Sequence, residues 1–415
     1  MANVGDVNLD GIDDLAVGAP AYEGAGGESG RVEVRSGASG VVLLVAEGAS
    51  NEEDFGWSVA GVGDVDGDGR CEFVAGAPAV SGAAGRARLL SGLDASTVYA
   101  FTGAASGTEF GASVDGAGDV DDDGVPDFIV GEPSHCSAPP CVGGPDGTVH
   151  VYSGADGQSI HTWTGISLNP LYKRVGRTVS RAGDVNADGF DDVMFSFGDL
   201  SGAMVVMSGD TGLPLFVLGS GPTFGDHLAS PGDLNGDGRS ELIASQAFGV
   251  VVYSGATGAP LQLLTTTGVD DLAAAGDVDL NAVPDYSYAD TTGLNVRSGV
   301  DGSDLYAVPP TLGEGPFGGI TDFEFGRAIA NAGDLDGDDV PEQAIGAPSF
   351  GPGTVGGGRV FVYSLKGACT DLDGDGWGAP LLPECGFAGD GDCDDFEPSV
   401  NPGAAETCNG VDDDC

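Results

Sequence analysis

The sequence predicts an all-β fold: a seven-bladed β-propeller of four-stranded antiparallel blades, followed by a small, irregular Cys/Asp-rich segment. Three observations carry this. A stretch of the form GDVNLDGIDDLAVGAP, first seen from Gly5 to Pro20, recurs seven times at spacings of 44 to 65 residues. Each copy is accompanied by short runs of period-two apolar residues, four per unit, bounded by Gly-rich turns. No stretch shows the apolar period of an amphipathic helix. Repeats of this length built from four short strands are the pattern of propeller blades.

Within a unit the elements keep one order. The first strand precedes the Asp-rich loop: FGWSVAGV from Phe55, FGASVDGA from Phe110, FGDHLASP from Phe224, FGRAIANA from Phe325. The second follows the loop and ends in Gly-Ala-Pro in the better copies. The third ends in a tight Ser-Gly turn, as in VEVRSGASG from Val32 and VHVYSGADG from Val149. The fourth leaves that turn, as in VVLLVAEG from Val41. Unit one starts without its FG strand and unit seven stops at VFVYSLKG, so the first and last blades of the propeller region, 1–367, are read as incomplete. The chain is accordingly read as a fragment of a longer exported protein.

Successive strands of a blade run antiparallel, so the Asp-rich loop and the Ser-Gly turn share one face. Length variation falls on the other face, in segments 21–30, 134–147, 164–174, 309–323 and 349–358. Binding residues favour variable loops on rigid scaffolds. A ligand is therefore expected on the face opposite the Asp-rich loops.

Those loops have the chemistry of a hard-cation site. Counted from the first Asp, oxygen-bearing side chains fall at positions one, three, five and nine, with glycine at six in most copies. Ca²⁺ takes six to eight oxygens in flexible geometry. A glycine supplies the positive φ that turns the loop and brings the position-seven carbonyl towards the ion. The first loop offers Asp6, Asn8, Asp10, the Ile12 carbonyl and Asp14; the second Asp64, Asp66, Asp68, Arg70 (carbonyl) and Glu72. The third offers Asp119, Asp121, Asp123, Val125 (carbonyl) and Asp127; the fourth Asp184, Asn186, Asp188, Phe190 (carbonyl) and Asp192. The fifth has Asp233, Asn235, Asp237, Arg239 (carbonyl) and Glu241. The sixth, Asp277, Asp279, Asn281, Val283 (carbonyl) and Asp285, is the weakest, because Ala282 replaces the glycine. The seventh has Asp334, Asp336, Asp338, Val340 (carbonyl) and Glu342, with Asp339 at position six. Position twelve of the first loop is Val17 rather than Glu, and a strand follows. The pattern is thus not an EF-hand, and the position-nine acid has to complete the site. Several bound Ca²⁺ ions are expected.

Composition supports this. The chain has 415 residues and a formal net charge of −51. Of its 65 acids, 28 lie within positions one to nine of the seven loops and 13 more from Cys369 onward, which favours cation binding over a generally acidic surface. Such a chain has no basic surface for a phosphate backbone, so nucleic acid is not expected as a partner. No apolar run is long enough to span a membrane. The histidines His135, His150, His161 and His227 fall in no catalytic motif, and no GxSxG, HExxH or P-loop is present, so no catalytic residue is predicted. Lys173, Arg174, Arg177 and Arg181 are read as partners of neighbouring carboxylates rather than as an anion site.

These residues resemble the FG-GAP repeats of the integrin α-subunit propeller and its bacterial relatives over about Met1 to Gly367. The resemblance implies structural Ca²⁺ in the loops and a non-enzymatic adhesion or ligand-binding module. It also implies an extracellular or bacterial cell-surface location and a protein or glycan as ligand. Departures occur: Val175-Gly176 replaces Phe-Gly in unit four, Val269-Asp270 holds the position in unit six, and GAP is lost in units four to six, which makes those blades less secure. Two other readings stand beside this one: a propeller module of an exported polysaccharide- or lipid-acting enzyme, and a structural surface-layer component.

From 368 to 415 the composition shifts. Asp371, Asp373 and Asp375 with Gly376 form another calcium-type loop, and Asp390, Asp392 and Asp394 a second candidate. Five of the eight cysteines lie here. The segment resembles the MopE-type metal-binding motif of bacterial surface proteins. Its cysteines are read as disulfide-forming, as are Cys136 and Cys141 in CSAPPC. Cys71 is read as a buried single thiol.

Overall fold

Alternation along each strand gives every blade two apolar sides, and these meet between blades rather than within one. In the computed structural model of the chain, residues 1–24, 27–49, 54–78, 84–134, 146–169, 172–198, 202–221, 223–309, 325–348 and 358–365 are described. They form six four-stranded antiparallel sheets and one three-stranded sheet, each in sequence order from the inner strand outward, and a two-stranded hairpin of Glu23–Gly24 and Gly27–Glu28. The inner strands are Ala2–Asn3, Ser58–Gly63, Ser113–Gly118, Val179–Gly183, Leu228–Gly232, Asp271–Gly276 and Ala328–Gly333.

Blade 1 has four strands, Ala2–Asn3, Leu15–Ala19, Arg31–Arg35 and Val42–Glu47. The FG dipeptide is absent there, yet Ala2 and Asn3 still pair with Ala16 and Leu15. Blade 7 has three strands among the described residues, Ala328–Gly333, Glu342–Ala347 and Arg359–Tyr363. Contacts divide the chain into Met1–Tyr363 and Ser364–Cys415, close to the boundary read from composition. The candidate ligands Asp371, Asp373, Asp375, Asp390, Asp392 and Asp394, the C-terminal cysteines, Cys136 and Cys141 all lie outside the described residues.

The core lies between blades. Ile129, Val149, Val151 and Trp163 of blade 3 pack with Val193, Phe195, Val205 and Met207 of blade 4. Leu15 of blade 1 packs with Ala332 and Ala344 of blade 7. The inner strand of blade 1 contacts those of both blade 2 and blade 7, so the ring closes. Inner strands also bond sideways: Ser58 Oγ donates to the Gly111 carbonyl (2.8 Å), Thr178 Oγ1 to that of Asp226 (2.7 Å), and Ile329 N to Asp271 Oδ2 (2.8 Å).

FG and GAP are two sides of one contact. A Cβ on Gly18 of the first GAP would lie 1.9 Å from the carbonyl oxygen of Gly56, the FG glycine of the next blade. The same approach joins Gly76 to Gly111 and Gly131 to Gly176. Blades 4 to 6, expected to be less secure without GAP, are complete four-stranded sheets. Serine takes the glycine's place in two of them and adds a bond: Ser196 Oγ accepts from Thr178 N (3.2 Å) and Ser245 Oγ from His227 N (2.9 Å). One helical turn, Gly165–Leu168, sits in the connection from blade 3 to blade 4 and is capped by Thr164.

Candidate metal centres

Each Asp-rich loop is folded by its own carboxylates. In the first, Asp6 Oδ1 accepts from Asp10 N (3.1 Å) and Asp6 Oδ2 from Gly11 N (2.7 Å). The position-six residue takes positive φ in every loop, including Ala282 (+68°) and Asp339 (+71°), where L side chains adopt it at a cost.

The position-nine acid is the buried centre of the loop. Asp14, Glu72, Asp127, Asp192, Glu241 and Asp285 are fully buried and Glu342 nearly so. One oxygen accepts the position-two N–H, as in Val120 N to Asp127 Oδ2 (2.7 Å). The other accepts the N–H of the Ser-Gly turn, as in Gly154 N to Asp127 Oδ1 (3.0 Å). The same clamp joins Asp14 to Val7 and Gly37, Glu72 to Val65 and Gly92, Asp192 to Val185 and Gly209, and Asp285 to Val278 and Gly299. The Asp-rich loop and the Ser-Gly turn are therefore one unit on one face. The turn's part was not foreseen, although its recurrence in every unit was the available signal.

Burial pushes these acids above the ordinary carboxylate range, against the pull of the two N–H donors. Asp127 and Glu241 are raised to about 7 and Asp192 to about 6; Asp14, Glu72 and Asp285 move the same way. Neighbouring loop acids add to the rise. At neutral pH the loops call for positive charge.

Positions one, three and nine converge in the second, third, sixth and seventh loops. Ligand oxygens of Asp64, Asp66 and Glu72 lie within 4.8 Å of one another, as do those of Asp119, Asp121 and Asp127, of Asp277, Asp279 and Asp285, and of Asp334, Asp336 and Glu342. The sixth loop, the weakest by sequence, keeps its cluster. In loops one, four and five position three is an amide: Asn8, Asn186 or Asn235. Asn186 Oδ1 is buried with no hydrogen-bond partner, an orphaned oxygen facing the need a cation would meet. Asn235 instead directs Nδ2 at Glu241 Oε1.

Position five also helps to fold the loop. Asp10, Asp68, Asp123, Asp188, Asp237, Asn281 and Asp338 turn back to accept the position-seven N–H, as in Val125 N to Asp123 Oδ1 (2.8 Å), and are absent from the convergent clusters. Among the position-seven residues Ile12, Arg70, Val125, Phe190, Arg239, Val283 and Val340, the two arginines bridge blades through their side chains. Arg70 reaches the Val7 carbonyl and Arg239 that of Val185 (2.7 Å).

The remaining candidates are structural. Arg174 pairs with Glu109 (3.6 Å), Arg177 with Asp226 (2.6 Å) and Arg181 with Asp191 (2.9 Å), as the reading of that basic run had it. His227 lies 3.1 Å from Asp271, His150 3.5 Å from Glu132, and His161 bonds the Gly209 carbonyl. Cys71 is a free thiol, half-buried rather than buried, against Gly5. Among the described residues no helix is long and apolar enough to cross a membrane.

The unit Met1–Tyr363 is thus a closed propeller whose blades carry acidic, cation-type loops on one face. The chain matches the FG-GAP repeat over residues 2–32 and 55–90, and the MopE-type metal-binding motif over residues 392–415. It is 32% identical to integrin alpha-5 of Xenopus laevis over 239 residues, 51% of this chain and 22% of that protein. It is 29% identical to integrin alpha-V of Gallus gallus over 228 residues (49% and 21%), and 34% identical to human integrin alpha-IIb over 145 residues (31% and 14%). The chain spans about a fifth of the length of the first two of these relatives. A chain in the solved structure of BBS1N in complex with ARL6DN, soaked with lead, shares the fold at TM-score 0.53 and 10% identity, covering 86% of this chain and 90% of its own. The chain therefore carries integrin α-like FG-GAP repeats and ends in a MopE-type motif.

Proposed function

We propose that this is a calcium-stabilised, non-enzymatic binding module that works outside the cell, on a bacterial surface or in its surroundings. Ca²⁺ in the Asp-rich loops rigidifies the scaffold, and the variable loops of the opposite face take a protein or glycan ligand. The observation that carries this is the contrast between the faces. One repeats the same buried position-nine carboxylate clamp from blade to blade; the other differs in length at nearly every blade. The donor set suits a hard cation, because the convergent groups are carboxylates, with no His or Cys among them. The similarity to integrin α chains supports an extracellular setting and a binding role.

The test is a screen of the calcium-loaded full chain against immobilised polysaccharides and surface proteins, with product analysis of every ligand retained. Binding that leaves the ligand intact is expected. Release of sugar or lipid products from a bound ligand would contradict the reading and favour an enzyme module. Calcium-dependent self-association without any ligand would favour a surface-layer role.

A further inference from the structure

The second and fifth loops are near copies. Residues 64–72 read DVDGDGRCE and residues 233–241 read DLNGDGRSE. Their backbones agree: Gly67 and Gly236 have φ of +77° and +76°, Gly69 and Gly238 of +87° and +84°. At position three the second loop has Asp66, inside its convergent cluster, and the fifth has Asn235. Hydrolysis of one side-chain amide would give the fifth loop the acids of the second.

Asn235 is followed by glycine. Asn8 and Asn186, the amides at position three of the first and fourth loops, are followed by Leu9 and Ala187. An asparagine loses its amide when the next backbone nitrogen attacks its Cγ, and a side chain on that next residue obstructs the approach. Gly236 is exposed, with no atom within 4 Å of where a Cβ would lie. The loop also holds each reacting atom. Gly236 N donates to Asp233 Oδ1 (2.7 Å), so a carboxylate shares the proton that the attacking nitrogen must shed. Asn235 Oδ1 accepts from Asp237 N (3.0 Å), which stabilises negative charge developing on that oxygen. Asn235 Nδ2, the leaving nitrogen, donates to Glu241 Oε1. In the fourth loop Asn186 Oδ1 has no such donor.

We propose that Asn235 is a self-modification site, at which the folded chain deamidates itself. Gly236 N bonds to Asn235 Cγ, the Cγ–Nδ2 bond breaks, and the nitrogen leaves as ammonia with the proton from Gly236 N. Water then adds at Cγ, the Cγ–N bond of the ring breaks, and an aspartate with an ordinary main chain results. Opening at the main-chain carbonyl instead gives a β-linked residue with an extra main-chain carbon, which would draw Gly236 N and Gly238 N off Asp233. The ring re-forms from either acid, so the folded loop accumulates the α-linked product. Blade 5 then carries the carboxylate set of the second loop, and the metal-loop face gains a negative charge. The reaction needs no bound ion.

The test is peptide mapping by mass spectrometry of the full chain, incubated folded, in chelator and mildly alkaline buffer made with oxygen-18 water. The peptide carrying Asn235 should gain about 3 Da, from loss of the amide and entry of a labelled oxygen. The peptides carrying Asn8 and Asn186 should not. Mapping by peptide also separates this site from Asn409–Gly410, the chain's other Asn-Gly pair. Gly236→Ala should abolish the gain in a chain that still folds, since Ala187 holds the same left-handed backbone at position four of the fourth loop (φ +60°). Conversion of the parent should be no faster in denaturant than in the folded chain, and the folded chain should yield mainly the α-linked product. An unmodified Asn235 would overturn the proposal, as would an undiminished gain in the Gly236→Ala variant. Faster conversion in denaturant, or mainly β-linked product from the folded chain, would overturn the part assigned to the loop.

Discussion

Asp13, at position eight of the first loop, packs against Gly333, the residue before the seventh. A Cβ on Gly333 would lie 2.7 Å from Asp13 Oδ2, which also accepts from Asn3 Nδ2 (2.8 Å). The same contact recurs around the ring: Cys71 on Gly5, Pro126 on Gly63, Asp191 on Gly118, Ser240 on Gly183, Pro284 on Gly232 and Pro341 on Gly276. The seam between blades 7 and 1 is thus built like every other. Gly333→Ala should cost roughly 2–3 kcal/mol, combining left-handed strain with a forced shift of Asp13. Gly11→Ala has the strain alone, with open space around its Cβ, and should cost about 1 kcal/mol. Denaturant unfolding in chelator compares the two; equal costs would deny the seam its tight contact.

The position-nine clamp predicts a second contrast. Asp127→Ala leaves the Val120 and Gly154 N–H groups buried without acceptors, at a cost of roughly 3 kcal/mol in calcium-free protein. Asp123→Ala loses one exposed bond to Val125 N and should cost about 0.5 kcal/mol. Chemical denaturation of both variants in chelator checks the order.

Stability of the calcium-free protein should fall as pH rises. The raised acids bind protons in the folded state that the unfolded chain has already released. The stability they contribute is present below about pH 4 and is lost between there and their folded values of about 6 to 7. In chelator the protein should be less stable at pH 8 than at pH 5 by at least about 2 kcal/mol. Saturating calcium should abolish or reverse the difference. Unfolding curves at the two pH values, with and without calcium, decide it.

Ala282 offers a stabilising change. Its φ of +68° is one that glycine takes without strain, and the loop keeps its Asp277–Asp279–Asp285 cluster despite the alanine. Ala282→Gly should stabilise the protein by about 1 kcal/mol, read as a raised denaturation midpoint.

Strands, loops and blade count were legible because each is local: period-two runs, glycine at the turning positions and oxygens at fixed offsets all lie within one unit. What escaped lies between units. Position eight is Asp, Cys, Pro or Ser, because the contact needs only a short side chain against the preceding glycine, so no residue type marks it. The role of Ala2–Asn3 was hidden for the same reason, since two residues without an FG dipeptide become a strand only by pairing with Leu15 and Ala16. Position five also folds the loop, its oxygen accepting the position-seven N–H, a role that spacing alone does not show. Ser196 and Ser245 replaced glycine without loss because each gained a backbone bond, which a motif read residue by residue does not reveal.

The central claim is that the Asp-rich loops are structural calcium sites of the folded ring. Thermal unfolding of the full chain after chelation, with calcium added back and bound metal counted, tests it most directly. A large calcium-specific rise in the midpoint is expected, with at least about five ions bound per chain, because ions that bind only the native state stabilise it by mass action. An unchanged midpoint with no bound calcium would mean that the loops are turns and nothing more.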